Sequence, residues 1–139
     1  MQDLGVSVWV RLKREIPGVD PLDVDGKLLA KSIDVLDRAS RQLEVRPLSD
    51  FYSVSKKQAL AELAGDELTE EQWEALADDH VWWRPQEGLA SVEALLKWLM
   101  EHGENVDRRE LVAQDLRDCR AVLEAAVRDD VEFNIAVSA

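Results

Sequence analysis

The chain has 139 residues and a formal charge of −12 at pH 7, from 17 Lys and Arg residues against 29 Asp and Glu residues. Because phosphate contacts require clustered basic side chains, this surplus of acid argues against binding to nucleic acid, and equally against anionic membrane surfaces. Hydrophobic residues make up 46% of the sequence, which is enough for the core of one domain and unlike a disordered composition.

Both ends of the sequence alternate between apolar and other residues with the period of a β-strand. Apolar side chains occupy every second position of residues 4–12 and again of residues 131–137. Because an isolated strand leaves backbone groups unpaired, we expect the two segments to lie in one sheet. Residues 44–52 predict a third strand, which Pro47 restricts to a sheet edge or a bulge.

The residues between these strands have the apolar spacing of helices. A first helix is expected around Leu29, Ile33 and Leu36, which fall on one face. Capping boxes at residues 55–58 and 69–72 predict the starts of two more helices.

Two longer helices are predicted in the second half of the chain. The first begins near Pro85 and ends at Gly103, with Met100 in its apolar stripe, and the second is capped by Asn105. The face of the second helix that we expect to be buried consists of Val112, Leu116, Cys119, Leu123 and Ala126. The predicted fold class is therefore α+β, in one domain spanning residues 1–139: a small sheet containing both the N-terminal and C-terminal strands, packed by about five helices.

The sequence contains no recognisable motif for common chemistries. Its six glycines never cluster into a phosphate-binding loop, and its two histidines and one cysteine are too few and too widely separated for a zinc site. Cys119 falls on the apolar face of the last helix, where a thiol is typical of core filling rather than of a nucleophile. We therefore predict no catalytic residue, no cofactor and no metal.

One segment differs from the rest of the chain in its charge. No Lys or Arg occurs between Lys57 and Arg84, whereas acidic side chains recur, and the segment ends in Trp82 and Trp83. Neighbours in an extended chain point to opposite sides, so one tryptophan faces away from whatever the other packs against. An exposed Trp beside Arg84 and acidic groups has the composition of an interface hot spot. The residues predicted to form this interaction surface are Glu70, Glu71, Glu74, Asp78, Asp79, His80, Trp82, Trp83 and Arg84.

The competing interpretation of the same segment is structural. In it, the acidic residues form a solvated face that aids solubility, and the tryptophans belong to the core. The solvent exposure of Trp82 and Trp83 distinguishes the two interpretations, because full burial of both side chains would favour the structural one.

The acidic segment favours a non-enzymatic module that binds a basic partner protein, since complementary charge speeds encounter and aromatic anchors supply affinity. The chain resembles bacterial immunity and antitoxin proteins in size and charge, and this resemblance implies a basic protein partner. One alternative is a small metal-dependent or hydrolytic enzyme that uses Asp78, Asp79 and His80, with His102 or Glu87. Another alternative is a structural or oligomerising domain that forms a homo-oligomer.

The cysteine content and the first residues predict the cellular setting. A single cysteine excludes an intrachain disulfide, and the chain does not open with a basic stretch followed by a long apolar run. We therefore expect a reducing, cytoplasmic location.

Overall fold

The computed structural model describes residues 7–20, 26–53, 71 and 80–138. Within these ranges the chain forms two β-strands, four α-helices and one short 3₁₀ helix. The elements, in chain order, are β1 (Ser7–Leu12), α1 (Lys27–Lys31), α2 (Ile33–Leu43), the 3₁₀ helix (Leu48–Phe51), α3 (Pro85–His102), α4 (Arg109–Asp129) and β2 (Phe133–Ser138).

The strands near the two ends of the chain pair with each other. β1 and β2 are antiparallel, with Val8 opposite Val137 and Val10 opposite Ile135. The side chains of Val8, Val10 and Ile135 are buried, because alternate residues of both strands face the apolar core. The predicted α+β class and the joining of both terminal strands in one sheet are confirmed.

β2 also has backbone partners along its second edge. Tyr52 forms a parallel bridge to Ile135, and the backbone N–H of Ser53 donates to the Ile135 carbonyl at 3.2 Å. Trp83 forms an antiparallel bridge to Phe133 through two backbone hydrogen bonds of 2.8 and 3.0 Å. β2 therefore lies between β1 on one side and two short segments on the other.

The third strand predicted over residues 44–52 is wrong. Most of this segment forms the 3₁₀ helix and the turn before it, and only Tyr52 makes a bridge to the sheet. Pro47 cannot donate to a strand ladder, and Asp37 of α2 holds the first turn of the 3₁₀ helix. The Asp37 carboxylate accepts the Ser49 hydroxyl at 2.5 Å and the Ser49 backbone N–H at 3.5 Å. This capping favours a helical turn over an extended chain.

The two long helices largely agree with the sequence. α3 begins at Pro85 and ends before Gly103, as predicted. α4 begins at Arg109, so the prediction that Asn105 caps it is wrong. The N–H of Val106 donates to the carbonyl of Gly103 at 2.9 Å, which keeps Asn105 inside the connecting turn.

The described residues contain four α-helices rather than the five or so expected for the whole chain. The helix expected around Leu29 is divided at Ser32 into α1 and α2. The helix starts predicted at residues 55–58 and 69–72 lie outside the described residues, apart from Glu71, which is helical.

The core is formed by α3 and α4 packed side by side against the sheet and the shorter helices. All five residues of α4 that were predicted to be buried are buried. Met100 is 43% exposed, so its assignment to the apolar stripe of α3 is wrong. It lies in the last turn of α3, beside the exposed Glu101 and His102. Among the helices described, none combines the length and the apolar character needed to cross a bilayer.

The short helix α1 depends on residues from other elements. Gly26 precedes it with φ 69°, and a Cβ at this position would lie 1.9 Å from the Val8 carbonyl oxygen, so only glycine fits. The first turn of α1 is capped by the buried Asp115 of α4, whose Oδ2 accepts the Leu29 backbone N–H at 3.2 Å. A carboxylate at a helix N-terminus is favourable, and here it ties α1 to α4.

Replacing Gly88 by Ala is expected to destabilise the protein. An added Cβ would lie 2.3 Å from Cζ of Phe133, whose ring is fully buried. Overpacking costs up to about 3 kcal/mol, which exceeds the roughly 1 kcal/mol that Ala gains over Gly inside a helix. The free energy of unfolding of Gly88→Ala, measured in urea, gives the net effect.

The double variant Gly88→Ala/Phe133→Leu separates the cost of the steric clash with Phe133 from the gain in helix propensity. Because leucine is shorter than phenylalanine, Gly88→Ala should cost less in this background than in the natural one. A stabilising effect of Gly88→Ala in the natural sequence would show that α3 and Phe133 do not approach each other so closely.

Candidate functional site

Residues 80–84, termed the arm, run along the second edge of β2. At the centre of the arm, the backbone of Trp83 bonds to Phe133 in both directions. Towards its start, the Val81 carbonyl accepts a hydrogen bond of 3.1 Å from Asn134 Nδ2. The arm ends at Arg84, the residue before α3, so it connects the sheet edge to the start of that helix.

Arg11 joins the arm to both strands of the sheet. It lies opposite Asn134 in the strand register, and its Nε donates to Asn134 Oδ1 at 2.8 Å. Its Nη2 donates to the Ser53 carbonyl at 2.9 Å and lies 3.2 Å from His80 Nδ1. One guanidinium group therefore connects β1, β2, the residue after Tyr52, and the first residue of the arm.

Ser53 makes a second connection to the arm. Its Oγ lies 3.0 Å from His80 Nδ1 and accepts the Val81 backbone N–H at 2.9 Å. Because a guanidinium group can only donate, the Arg11 contact makes His80 Nδ1 an acceptor, and a neutral imidazole then carries its proton on Nε2. Arg11, Ser53, His80, Val81 and Asn134 are termed the polar network. Within the described residues, every buried side-chain nitrogen and oxygen has a hydrogen-bond partner.

The two neighbouring tryptophans have different surroundings. The ring of Trp83 packs edge-on against Phe51, with ring centroids 5.6 Å apart and planes at 89°, and it belongs to the rim of the core. The ring of Trp82 lies near His80, at a centroid distance of 6.1 Å, and is not among the described residues that pack on the core. Both side chains are partly exposed.

Both tryptophans line a groove between the start of α3 and the end of α4. The groove has a volume of about 1050 Å³. Its lining residues are Trp82, Trp83, Arg84, Pro85, Gln86, Glu87, Asp130 and Glu132.

The charged side chains of the groove are three carboxylates and one guanidinium. Glu132 forms an exposed ion pair of 3.1 Å with Lys13, and Glu87 lies 3.9 Å from Arg46. Asp130 forms no ion pair with any residue of the described ranges, and it lies at the C-terminal end of α4. The partial negative charge of a helix C-terminus adds to the negative potential of this carboxylate.

The structure brings together three of the residues predicted for the interaction surface. Trp82, Trp83 and Arg84 line the groove, whereas His80 lies in the polar network. Glu71 is exposed. The remaining predicted residues lie outside the described ranges and are Glu70, Glu74, Asp78 and Asp79.

The sequence analysis did not predict the polar network or the two carboxylates of the groove that follow α4, Asp130 and Glu132. Arg11 and Asn134 are 123 positions apart, and Ser53 and His80 are 27 apart, so only the strand register and the sheet edge bring them together. The sequence signal for the polar network was a polar residue in each strand on the face away from the core, Arg11 in β1 and Asn134 in β2. For the carboxylates Asp130 and Glu132, the signal was their position just after a helix.

A second groove of about 820 Å³ lies beside β1 and the turn that follows it. It is more apolar than the first, with Trp9 and Ile16 among its lining residues. Two arginines and two acidic residues balance each other in charge around it, so it indicates no class of ligand. They are Arg11, Arg14, Glu15 and Asp20.

The enzyme alternative receives no support from the described residues. They contain no group of three or more potential metal ligands. His102 lies at the last position of α3, roughly 25 Å along the helix axis from Pro85, and its ring is near Glu101 at 3.8 Å. Because Asp78 and Asp79 lie outside the described ranges, this alternative stays a prediction.

Tyr52, next to the polar network, remains neutral. Its phenol is half-buried and lies near Asp37 and Asp34, and desolvation together with these carboxylates raises its pKa to about 12. It is therefore not an ionised base near neutral pH.

Cys119 is a buried residue of the core, as predicted. Burial raises the pKa of its thiol to about 12, and the carboxylates of Asp115 and Asp118 add to the effect. Since the thiolate is the reactive form, Cys119 cannot serve as a nucleophile near neutral pH.

The thiol of Cys119 is expected to react with Ellman's reagent far more slowly in the folded protein than in urea at pH 8. Its folded-state pKa of about 12 keeps it protonated at this pH, and its side chain is buried. Because the chain has one cysteine, the absorbance change reports this residue alone. Rapid, complete labelling of the folded protein would contradict its placement in the core.

No model of a known protein family matches the chain, and searches of curated proteins and of solved structures find no significant similarity. The groove and the polar network are therefore the observations from which a function can be inferred. Of the two, the groove is the one with partly exposed tryptophans and charged side chains that a partner could contact.

Proposed function

We propose that this protein is a non-enzymatic binding module that takes a basic segment of a partner protein in the groove. The observation that supports this proposal is the meeting of Trp82 and Arg84 with three carboxylates in one groove. Trp and Arg are the residues most enriched at the energetic centres of protein interfaces.

Trp82 is the proposed anchor of the interaction. Its ring is partly exposed and lies outside the core cluster, so a partner can contact it without disturbing the core. A basic side chain over the face of an indole gains about 0.5–2 kcal/mol from the cation–π interaction. Trp83 contributes mainly to the fold, because its ring packs on Phe51 and its backbone pairs with β2.

The carboxylates favour a basic partner over an acidic one. The ion pairs of Glu132 and Glu87 are exposed, and such pairs contribute only about 0–1 kcal/mol, so a basic side chain of the partner can replace Lys13 or Arg46 at little cost. Asp130 is available without such an exchange. Arg84 adds a donor that can bond to backbone carbonyls of the partner.

The acidic segment before the arm adds long-range attraction in this proposal. The acidic residues of this segment are assigned to the interaction surface from the sequence alone. The whole chain carries a charge of −12. Such a charge steers a basic protein towards the surface and makes the association rate depend on salt. A small acidic protein that captures a basic one is the behaviour implied by the likeness to immunity and antitoxin proteins in size and charge.

The proposed role of Trp82 is tested with hexaarginine as the basic probe and hexaglutamate as its control, by isothermal titration at low salt. The natural protein is expected to bind hexaarginine and not hexaglutamate. Trp82→Ala is expected to raise the dissociation constant for hexaarginine about tenfold, with little change in the stability of the protein. Trp83→Ala is the contrasting variant, expected to lower the free energy of unfolding because its ring packs on Phe51 at the rim of the core. Equal binding of hexaarginine by the natural protein and Trp82→Ala would remove the proposed anchor.

A pair of charge variants distinguishes the groove from the overall charge. Asp130→Asn and Glu124→Gln each remove one negative charge, but only Asp130 lines the groove. Asp130→Asn should weaken hexaarginine binding more than Glu124→Gln does. Equal effects of the two variants would mean that net charge, and not the groove, attracts the probe.

A further inference from the structure

We infer that Arg11, Ser53 and Asn134 are positioning residues for partner binding, because they hold the arm so that Trp82 stands at the groove. None of the three lines the groove. This inference rests on the proposed function, since it concerns how the same groove keeps its anchor in place.

The two sides of Trp82 are fixed in different ways. On its C-terminal side, the backbone of Trp83 is bonded to Phe133, and its ring is packed on Phe51. On its N-terminal side, the backbone of Val81 is bonded through side chains, with its N–H on Ser53 Oγ and its carbonyl on Asn134 Nδ2. The direction of the Trp82 side chain therefore depends on the polar network as well as on the sheet.

The polar network holds the arm through buried side chains. Ser53 is 8% exposed and Asn134 is 0% exposed, so the two side chains that bond to the Val81 backbone are themselves buried. A buried hydrogen bond that is broken leaves its partner unsatisfied, which makes departure of the arm costly. Arg11 in turn holds the side chain of Asn134 through Oδ1 and the backbone of Ser53 through its carbonyl.

A Trp82 side chain that is already oriented is expected to bind a partner more tightly than a mobile one. An aromatic side chain that is already oriented in the unbound protein loses less conformational entropy when a partner arrives. The ring of His80, with its Nδ1 bound in the network, lies beside the indole of Trp82 and narrows its range of orientations. The polar network is therefore a device for pre-organising the groove.

Ser53→Ala is the variant that tests this inference most cleanly. It removes the acceptor of the Val81 N–H and the contact to His80 Nδ1, while every residue that lines the groove is kept. The dissociation constant for hexaarginine is expected to rise about fivefold. Ser53→Thr keeps Oγ, and its affinity should stay close to that of the natural protein.

Ser40→Ala is the matched control. Ser40 is also a buried serine. Among the described residues its hydroxyl donates to the Leu36 carbonyl within α2, and it does not line the groove. The affinity of Ser40→Ala for hexaarginine should be unchanged, and its free energy of unfolding is measured beside that of Ser53→Ala. Equal losses of affinity in Ser40→Ala and Ser53→Ala would overturn the positioning role, because stability alone would then explain both.

NMR spectroscopy of the unbound protein reports on the environment of the Trp82 side chain. The indole N–H resonance of Trp82 is identified by its absence in Trp82→Phe, and it should shift or broaden in Ser53→Ala but not in Ser40→Ala. An unchanged resonance and unchanged affinity in Ser53→Ala, with affinity lost in Trp82→Ala, would overturn this inference and leave the proposed function standing. Failure of the natural protein to bind hexaarginine would remove both.

Discussion

The backbone of Phe133 bonds to Trp83 on one side while the strand that contains it pairs with β1 on the other. The ring of the same residue is fully buried, packs at 4.9 Å on Phe51, and lies against the backbone of α3 at Gly88. One residue thus fixes the sheet, the 3₁₀ helix, the arm and the start of α3 relative to one another. The groove exists where two of these parts, the arm and α3, meet the end of α4.

The two faces of the sheet differ in the residues that they carry. The face with Val8, Val10 and Ile135 forms the core, and its stability comes from the burial of apolar surface. The opposite face carries the pair Arg11 and Asn134, whose polar atoms are satisfied by hydrogen bonds to each other and to the arm. The side chains that bond to the arm are therefore separate from the side chains that form the core, and we expect changes in the polar network to alter the proposed binding while the fold is kept.

The parts of the fold that the sequence predicted are those with local signals. The period-two alternation identified both strands, and Pro85 and Gly103 marked the ends of α3. The predictions failed where a contact from elsewhere decided the local structure. Asp37 of α2 turns the segment after Pro47 into a 3₁₀ helix, and no pattern within that segment could show it.

The candidate site was predictable only in part for the same reason. The sequence identified Trp82, Trp83 and Arg84, because an acidic segment without Lys or Arg ends at these residues and an exposed Trp beside Arg is typical of an interface hot spot. The polar residues of the strands could be read from the sequence but not their partners, since Arg11 meets Asn134 through the strand register and His80 through the sheet edge. The groove's carboxylates Asp130 and Glu132 could be recognised only after α4 and the arm were placed side by side.

The groove depends on the arm being fixed on the second edge of β2. Amide hydrogen exchange tests it most directly, because the backbone N–H groups of Trp83 and Phe133 bond to each other's carbonyls in this arrangement. We expect the Trp83 amide to exchange as slowly as the amides that join β1 and β2, within about a factor of ten. Exchange of the Trp83 amide as fast as that of Asp107, in the exposed turn before α4, would contradict it.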